Sequence, residues 1–207
     1  FLLLTRPRRR LSADRSKTTA GLERMPEAAP WVADTSVYTH LSRAGHINIL
    51  ERLAPGGLIL LPSDVDSEVQ EGRTLFPSIV DPASTSWAKL TVLTEDEVFT
   101  QLAVKAALGG APKQHLGECA VIACAQHRRL TALLDDRSAI AQADLRGVPS
   151  RDTLWLVIEA YFSLFERDRQ PAIRVVDDLI NTGMYLPIDS GDSLFSWAYE
   201  EGLLPRE

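Results

Sequence analysis

The chain has little cysteine, no long apolar run and none of the glycine signatures of nucleotide binding, and each shortage excludes a class of protein. Its two cysteines, Cys119 and Cys124, stand about 140° apart around the helix that their surroundings imply, so they cannot bridge each other. Scarce, unbridged thiols suit a reducing cytoplasm. No stretch approaches the ~18 uninterrupted apolar residues of a membrane span. The opening FLLLTRPRRR puts its apolar residues ahead of its basic ones, the reverse of a secretory signal, so a cytoplasmic location is expected. Neither GxGxxG, a P-loop GxxxxGKS or GxxxxGKT, nor a GxSxG elbow occurs, which removes support for dinucleotide, P-loop and Ser-His-Asp hydrolase chemistry. Positive charge is also short. Lys and Arg number 22 against 28 Asp and Glu, and the pI near 5.3 argues against broad coating of nucleic acid while leaving room for a local basic face.

What is present is an ordered alternation of apolar strands and helices. With 207 residues, 45% hydrophobic and 24% charged, the chain can bury one sizeable core. Residues 1–30 are polar, basic and without sustained periodicity, and are expected to form a disordered arm, with Met25 a candidate native start. From Trp31, WVADTS reads as a short strand ending at Asp34, followed by a helix over 36–53 that PGG closes. LILLP is a second strand, with a short helix carrying Glu68 and stopping at Gly72. A loop rich in Pro, Ser and Thr covers 73–86. AKLTVLT is a third strand and EDEVFTQLAVKAALGG a helix closed by glycines. A helix over 115–129 leads into strand LTALL, RSAIAQADLRG makes a further helix, and VPS a last short strand. Helices over 152–167, 171–182 and 192–201 finish the chain. This rhythm predicts an α/β fold, a three-layer α/β/α sandwich with a central parallel sheet and a helical C-terminal extension over 184–207. Met184, Tyr185, Leu186, Phe195, Trp197 and Tyr199 give that extension an apolar, aromatic surface, to be covered by the chain's own sheet, by a second copy or by another protein.

One stretch carries a chemical question. GECAVIACAQHRRLTALLDD, residues 117–136, is an apolar helix and strand bracketed by carboxylates. Locally, Glu118 is a first-turn acid that the helix dipole favours, and Asp135–Asp136 open a turn or cap the next helix. Across the fold, however, the crevice of an open α/β sheet lies outside the carboxyl ends of the strands. Asp34 is at one such end, Asp135 and Asp136 at another, Glu118 in a helix first turn, and Glu68 in the helix after the second strand. Acids converging there repel unless a hard cation such as Mg²⁺ or Mn²⁺ neutralises them. Such ions activate water and stabilise the charge of phosphoryl displacement. Asp34 is read as functional because a helix cap would fall more naturally to Thr35 or Ser36. His115 and Cys119 face away from Cys124 and His127, so one zinc ion cannot take all four, and buried thiols are expected. Arg128, Arg129 and Arg137, with Arg146 and Arg151, supply either a basic rim for a phosphate backbone or a solvated set of helix-end charges.

VADTSVY, LPSDVDSEV, LGECAVIACA and LLDDRSAIAQA resemble the four acidic motifs of the PIN-domain family, in that family's order. The resemblance spans about 31–183. DTLWLVIEAY and VVDDLINTGMYL are similar to the two-helix tail of one PIN subgroup. The resemblance implies a metal-dependent ribonuclease, as in the VapC-type toxins of toxin–antitoxin pairs, with RNA as substrate, Mg²⁺ or Mn²⁺ as cofactor, and an antitoxin protein or a second copy as partner. By motif, Asp34, Glu68, Glu118 and Asp135 correspond to catalytic acids. The metal falls to Asp34, Glu118 and Asp135 or Asp136; apart from the resemblance, the local excess of arginine puts expected RNA contact at Arg128, Arg129 and Arg137. The competing class is a non-catalytic PIN-like module that binds a protein or nucleic acid without cutting it.

Overall fold

The computed structural model describes residues 30–204. The arm expected over 1–30, apart from Pro30, the candidate start at Met25 and the end of the C-terminal extension, 205–207, lie outside the described residues.

Five strands, β1 (Trp31–Ala33), β2 (Ile59–Pro62), β3 (Ala88–Thr91), β4 (Thr131–Leu133) and β5 (Ser150–Arg151), form a parallel sheet in the order β3-β2-β1-β4-β5. The helices are α1 (Thr35–Arg43), α2 (Asn48–Leu53), α3 (Ser63–Leu75), α4 (Glu95–Leu108), α5 (Leu116–Arg128), α6 (Arg137–Leu145), α7 (Thr153–Ser163), α8 (Arg169–Asn181) and α9 (Leu194–Glu200). The architecture is an α/β/α sandwich with its parallel sheet flanked by helices. Trp31, Val32 and Ala33 of β1, and Ala132 and Leu133 of β4, are all buried, as expected of strands covered on both faces. The edge strands differ: β5 has two residues, and β3 exposes Lys89 and Leu90, a charged or abbreviated edge that discourages further pairing. Among the described residues no helix is long and apolar enough to cross a membrane.

Helix α5 lies across β1, β2 and β4 and touches α3, α4 and α6, while α7 packs on α2 and α8. Its run of Cys119, Ala120, Val121, Ile122, Ala123, Cys124 and Ala125 is wholly buried, because small side chains let the helix approach the sheet closely. Burial pushes both thiols up to about 11. They are core residues, protonated at neutral pH and unsuited to zinc.

Three local expectations are corrected. The single helix over 36–53 is two helices, because Gly45 adopts φ 78° and ends α1. There the Gly45 N–H donates to Ser42 O at 3.1 Å and the His46 N–H to Leu41 O at 2.8 Å, the paired bonds of a Schellman stop. Helix α3 does not stop at Gly72 but runs to Leu75. Gly72 lies inside α3 against Ile79, whose Cδ1 would be in ordinary contact with a Cβ there at 3.4 Å. The 73–86 segment is tied down rather than plain loop. It holds a 3₁₀ turn at Pro82–Ser84, the Val80 N–H donates to Ser42 Oγ at 2.6 Å, and Arg73 pairs with Asp81 at 3.1 Å.

The aromatic C-terminal surface is mostly consumed by the chain itself. Met184, Leu186, Leu194, Phe195 and Ala198 are buried, and Phe195 meets Tyr161 edge to face at 5.0 Å. The Gly191 N–H donates to Asp177 Oδ1 at 2.7 Å, so this segment docks on α8. Tyr185 is the exception, 88% exposed.

Candidate functional site

From β1 the chain moves outward to β2 and β3, then returns through α4 and α5 to β4 on the other side of β1. The connections leaving β1 and β4 therefore diverge, and a crevice opens outside their carboxyl ends, the switch point where open α/β sheets bind ligands. Asp34 directly follows β1, and its N–H donates to Leu133 O at 3.1 Å, fixing it against β4. Asp135 stands just beyond β4.

Asp34 is 3% exposed. Its backbone is extended (φ −81°, ψ 162°) and it is the N-cap of α1, the role expected instead for Thr35 or Ser36. Oδ2 accepts from Ser36 N at 3.2 Å and from Ser36 Oγ at 2.9 Å. Oδ1 is buried and has no hydrogen-bond partner among the described residues. Burial, with the Glu118 charge behind it, raises this carboxyl to about 7. Capping accounts for one oxygen and leaves the other unexplained, which is unusual for a buried carboxylate.

The other acids gather around it. Asp135 accepts from Thr153 N and Thr153 Oγ1, each at 2.9 Å, and its Oδ2 lies 3.4 Å from the Ser36 hydroxyl that binds Asp34. Burial raises Asp135 to about 6. Its neighbour Asp136 caps α6, its Oδ1 accepting from Ala139 N at 2.8 Å, and lines the same crevice as Asp135. Glu118, in the first turn of α5, is 17% exposed, with Oε1 3.2 Å from His115 Nδ1. Glu68 accepts from Thr35 Oγ1 and, at 3.1 Å, from Gly117 N, and burial raises its pKa. Gly117 is what permits this convergence. A Cβ there would lie 2.7 Å from Glu68 Oε2 and 3.1 Å from Asp34 Oδ1, so glycine lets α5 begin against two carboxylates without displacing them.

A cleft of about 440 Å³ opens at this edge, lined by Ser36, His40, Glu118, Asp135, Arg137 and Tyr185 among others. Among the described residues no three His, Cys, Asp or Glu are grouped as a ready-made metal cage: Asp135 is turned to Thr153, Glu118 to His115, and Glu68 to Thr35 and Gly117. Asp34, Glu118 and Asp135 are all hard oxygen donors of the kind that Mg²⁺ and Mn²⁺ take, and Asp34 Oδ1 accepts no hydrogen bond from the described residues. Ligand chemistry and orphaned oxygen thus fit a divalent ion.

Three functional candidates had little sequence signal. Thr153, which holds Asp135, lies 18 residues away in the chain. Asp152 caps α7 by accepting from Trp155 N at 2.7 Å and borders the same cleft. His40 lines the cleft, bonds Thr182 Oγ1 through Nδ1 at 2.6 Å, and has its pKa lowered by burial and Arg43, so it is neutral at pH 7.

The expected basic rim is divided. Arg137 lines the cleft. Arg128 lies ten residues along α5 from Glu118, ~15 Å away, and its guanidinium is engaged by Glu97 at 2.6 and 2.8 Å and by Thr91 Oγ1 at 2.6 Å. Arg129, with φ 56°, borders a separate hollow with Arg146. The Arg128 guanidinium thus reaches Thr91, the last residue of the outer strand β3, away from the crevice between β1 and β4.

Compared with known families, residues 30–196 match the model described as DUF3368, PIN domain. No curated protein matches the chain significantly.

Proposed function

The chain belongs to the PIN-domain family, and from that premise we propose that it is a metal-dependent endoribonuclease working at the crevice between β1 and β4. The observation that carries this reading is Asp34: a buried carboxylate, one oxygen without a donor among the described residues, raised to about 7 by burial and by Glu118. A divalent ion held by Asp34, Glu118 and Asp135 would remove that cost. Bound there, Mg²⁺ or Mn²⁺ supplies positive charge for the phosphodiester oxygens and acidity for an attacking water.

The chain's own residues arrange the rest. Ser36 clamps Asp34 through Oδ2, so Oδ1 is the oxygen left for a ligand. Thr153 presets Asp135 by both oxygens, and each carboxylate oxygen keeps a further lone pair for coordination. Glu68, committed to Thr35 and Gly117, seats the start of α5 and so positions Glu118. Asp136 commits one oxygen to capping α6 and lines the cleft beside Asp135. Arg137 stands where a backbone phosphate is to be met.

Purified protein with Mn²⁺ should degrade single-stranded RNA, EDTA should abolish this, and Asp34→Asn should abolish it while remaining folded. RNA or protein binding without cutting would identify the non-catalytic module instead. As the toxin of a toxin–antitoxin pair, the wild-type chain should arrest growth on induction and Asp34→Asn should not.

A further inference from the structure

Beside the acidic cleft lies a second hollow of about 310 Å³, bordered by Trp155, Trp197, Arg151 and Glu201. Ile140 and Asp152 line both spaces, so the two adjoin. We infer that this hollow is a nucleobase subsite that takes one guanine of the RNA next to the bond to be cut. The inference rests on the nuclease reading for its RNA, and on a different set of residues for its chemistry.

The hollow is at the small end of ligand pockets, ~300–1,000 Å³, which suits one base rather than a longer segment. Its aromatic wall is preset. Trp31, buried in β1, meets Trp155 edge to face at 5.8 Å and 75°, fixing the Trp155 ring, and the Arg151 guanidinium sits 5.3 Å from the centre of that ring. Trp197 of α9 is half-buried and supplies the second indole. Aromatic faces beside a phosphate-binding cleft are how single-stranded RNA is held when its bases are splayed out of a stack.

The polar groups choose among bases. Asp152 and Glu201 present acceptors, and their charges lie near enough that Glu201, after burial, contributes to raising the Asp152 carboxyl. Asp152 commits Oδ1 to the Trp155 N–H, while Glu201, exposed at the end of α9, keeps both oxygens for a ligand. A carboxylate pairs best with two adjacent donors. Guanine offers these in N1–H and its exocyclic amino group. Uracil offers a single N–H flanked by two carbonyl oxygens, which a carboxylate repels.

The test is tryptophan emission of the full-length protein titrated with guanosine monophosphate and with uridine monophosphate, in EDTA. Saturable quenching is expected with the guanosine nucleotide and about tenfold weaker binding of the uridine nucleotide, the discrimination of one bidentate pair. Glu201→Gln, at an exposed position, should remove that preference. Trp197→Leu should lower affinity for both nucleotides. Absence of saturable quenching, or equal affinity for the two nucleotides, or a preference that survives in Glu201→Gln, would overturn the inference, and the Glu201 result stands even if the Trp197 variant does not fold. Binding in EDTA by a chain that never cuts RNA with Mn²⁺ would defeat the nuclease reading alone. Cutting without nucleotide quenching would defeat the subsite alone.

Discussion

Asp34→Asn should stabilise the metal-free protein, and by an amount that depends on pH. Asparagine keeps an oxygen for Ser36 N and Ser36 Oγ, so the cap of α1 survives nearly intact, while the buried charge is gone. At pH 8 Asp34 is ionised in both the folded and the unfolded chain, and the folded chain bears the cost of a carboxyl raised from 3.8 to about 7. At ~1.36 kcal/mol per pH unit that gap is roughly 4 kcal/mol. The sign follows from proton uptake. A carboxyl with a raised folded-state pKa destabilises above that value, and the penalty shrinks as pH falls through about 7 and vanishes below the unfolded value. The variant should therefore gain roughly 2–4 kcal/mol at pH 8 but only about 1–2 kcal/mol at pH 5. For a domain of this size the larger gain corresponds to a rise in Tm of roughly 5–15 °C. Urea unfolding in EDTA at both pH values reads the difference directly. Equal effects at the two pH values, or a loss of stability at pH 8, would mean that Asp34 is an ordinary satisfied cap and would refute the reasoning.

Gly117→Ala should cost about 1–3 kcal/mol, because its Cβ would lie 2.7 Å from Glu68 Oε2, and should also weaken stabilisation by Mn²⁺ in a thermal-shift titration. Arg128→Ala strips the partner from Glu97, whose side chain is 1% exposed, and should destabilise by roughly 1–3 kcal/mol with RNA affinity unchanged. Arg137→Ala should do the reverse, weakening RNA binding and reducing its salt dependence by about one phosphate contact; a filter-binding series in salt separates the two. Truncation after Gly183 removes the buried Leu194, Phe195 and Ala198 and should leave a chain without a cooperative melt by circular dichroism. A folded truncated domain would show that the segment serves an interface instead.

The layered fold was legible because its signals are local and redundant. Apolar runs such as LILLP and LTALL end at a proline or an aspartate, and helices end at glycines, so the alternation that implies a parallel sheet could be read directly. The candidate site was legible where it depends on topology: once β1 and β4 are recognised, the acids that follow them must share an edge. What local pattern could not decide is orientation. Asp34, Thr35 and Ser36 are all good caps, and only the backbone angles at Asp34 select it. Asp135 and Asp136 differ by one residue, and which turns inward depends on Thr153, brought in by β5 with no sequence proximity. Gly45 carried a stop signal, but the apolar spacing of Ile47, Ile49 and Leu50 continued the helical period across it. Local pattern also could not sort the arginines: Arg137 lines the cleft, whereas Arg128, at the far end of α5, is held by Glu97 and by Thr91 at the end of β3.

The central claim is that Asp34, Glu118 and Asp135 hold a divalent cation, and calorimetric titration of the metal-free protein with Mn²⁺ near pH 7 in buffers of different ionisation enthalpy tests it most directly. Asp34 and Asp135, raised to about 7 and about 6, both retain protons in part of the population at that pH, and a cation must displace them. The account predicts saturable Mn²⁺ binding with net proton release, both lost in Asp34→Asn. Binding of equal strength in that variant, binding without proton release, or no binding to the wild-type chain would contradict it.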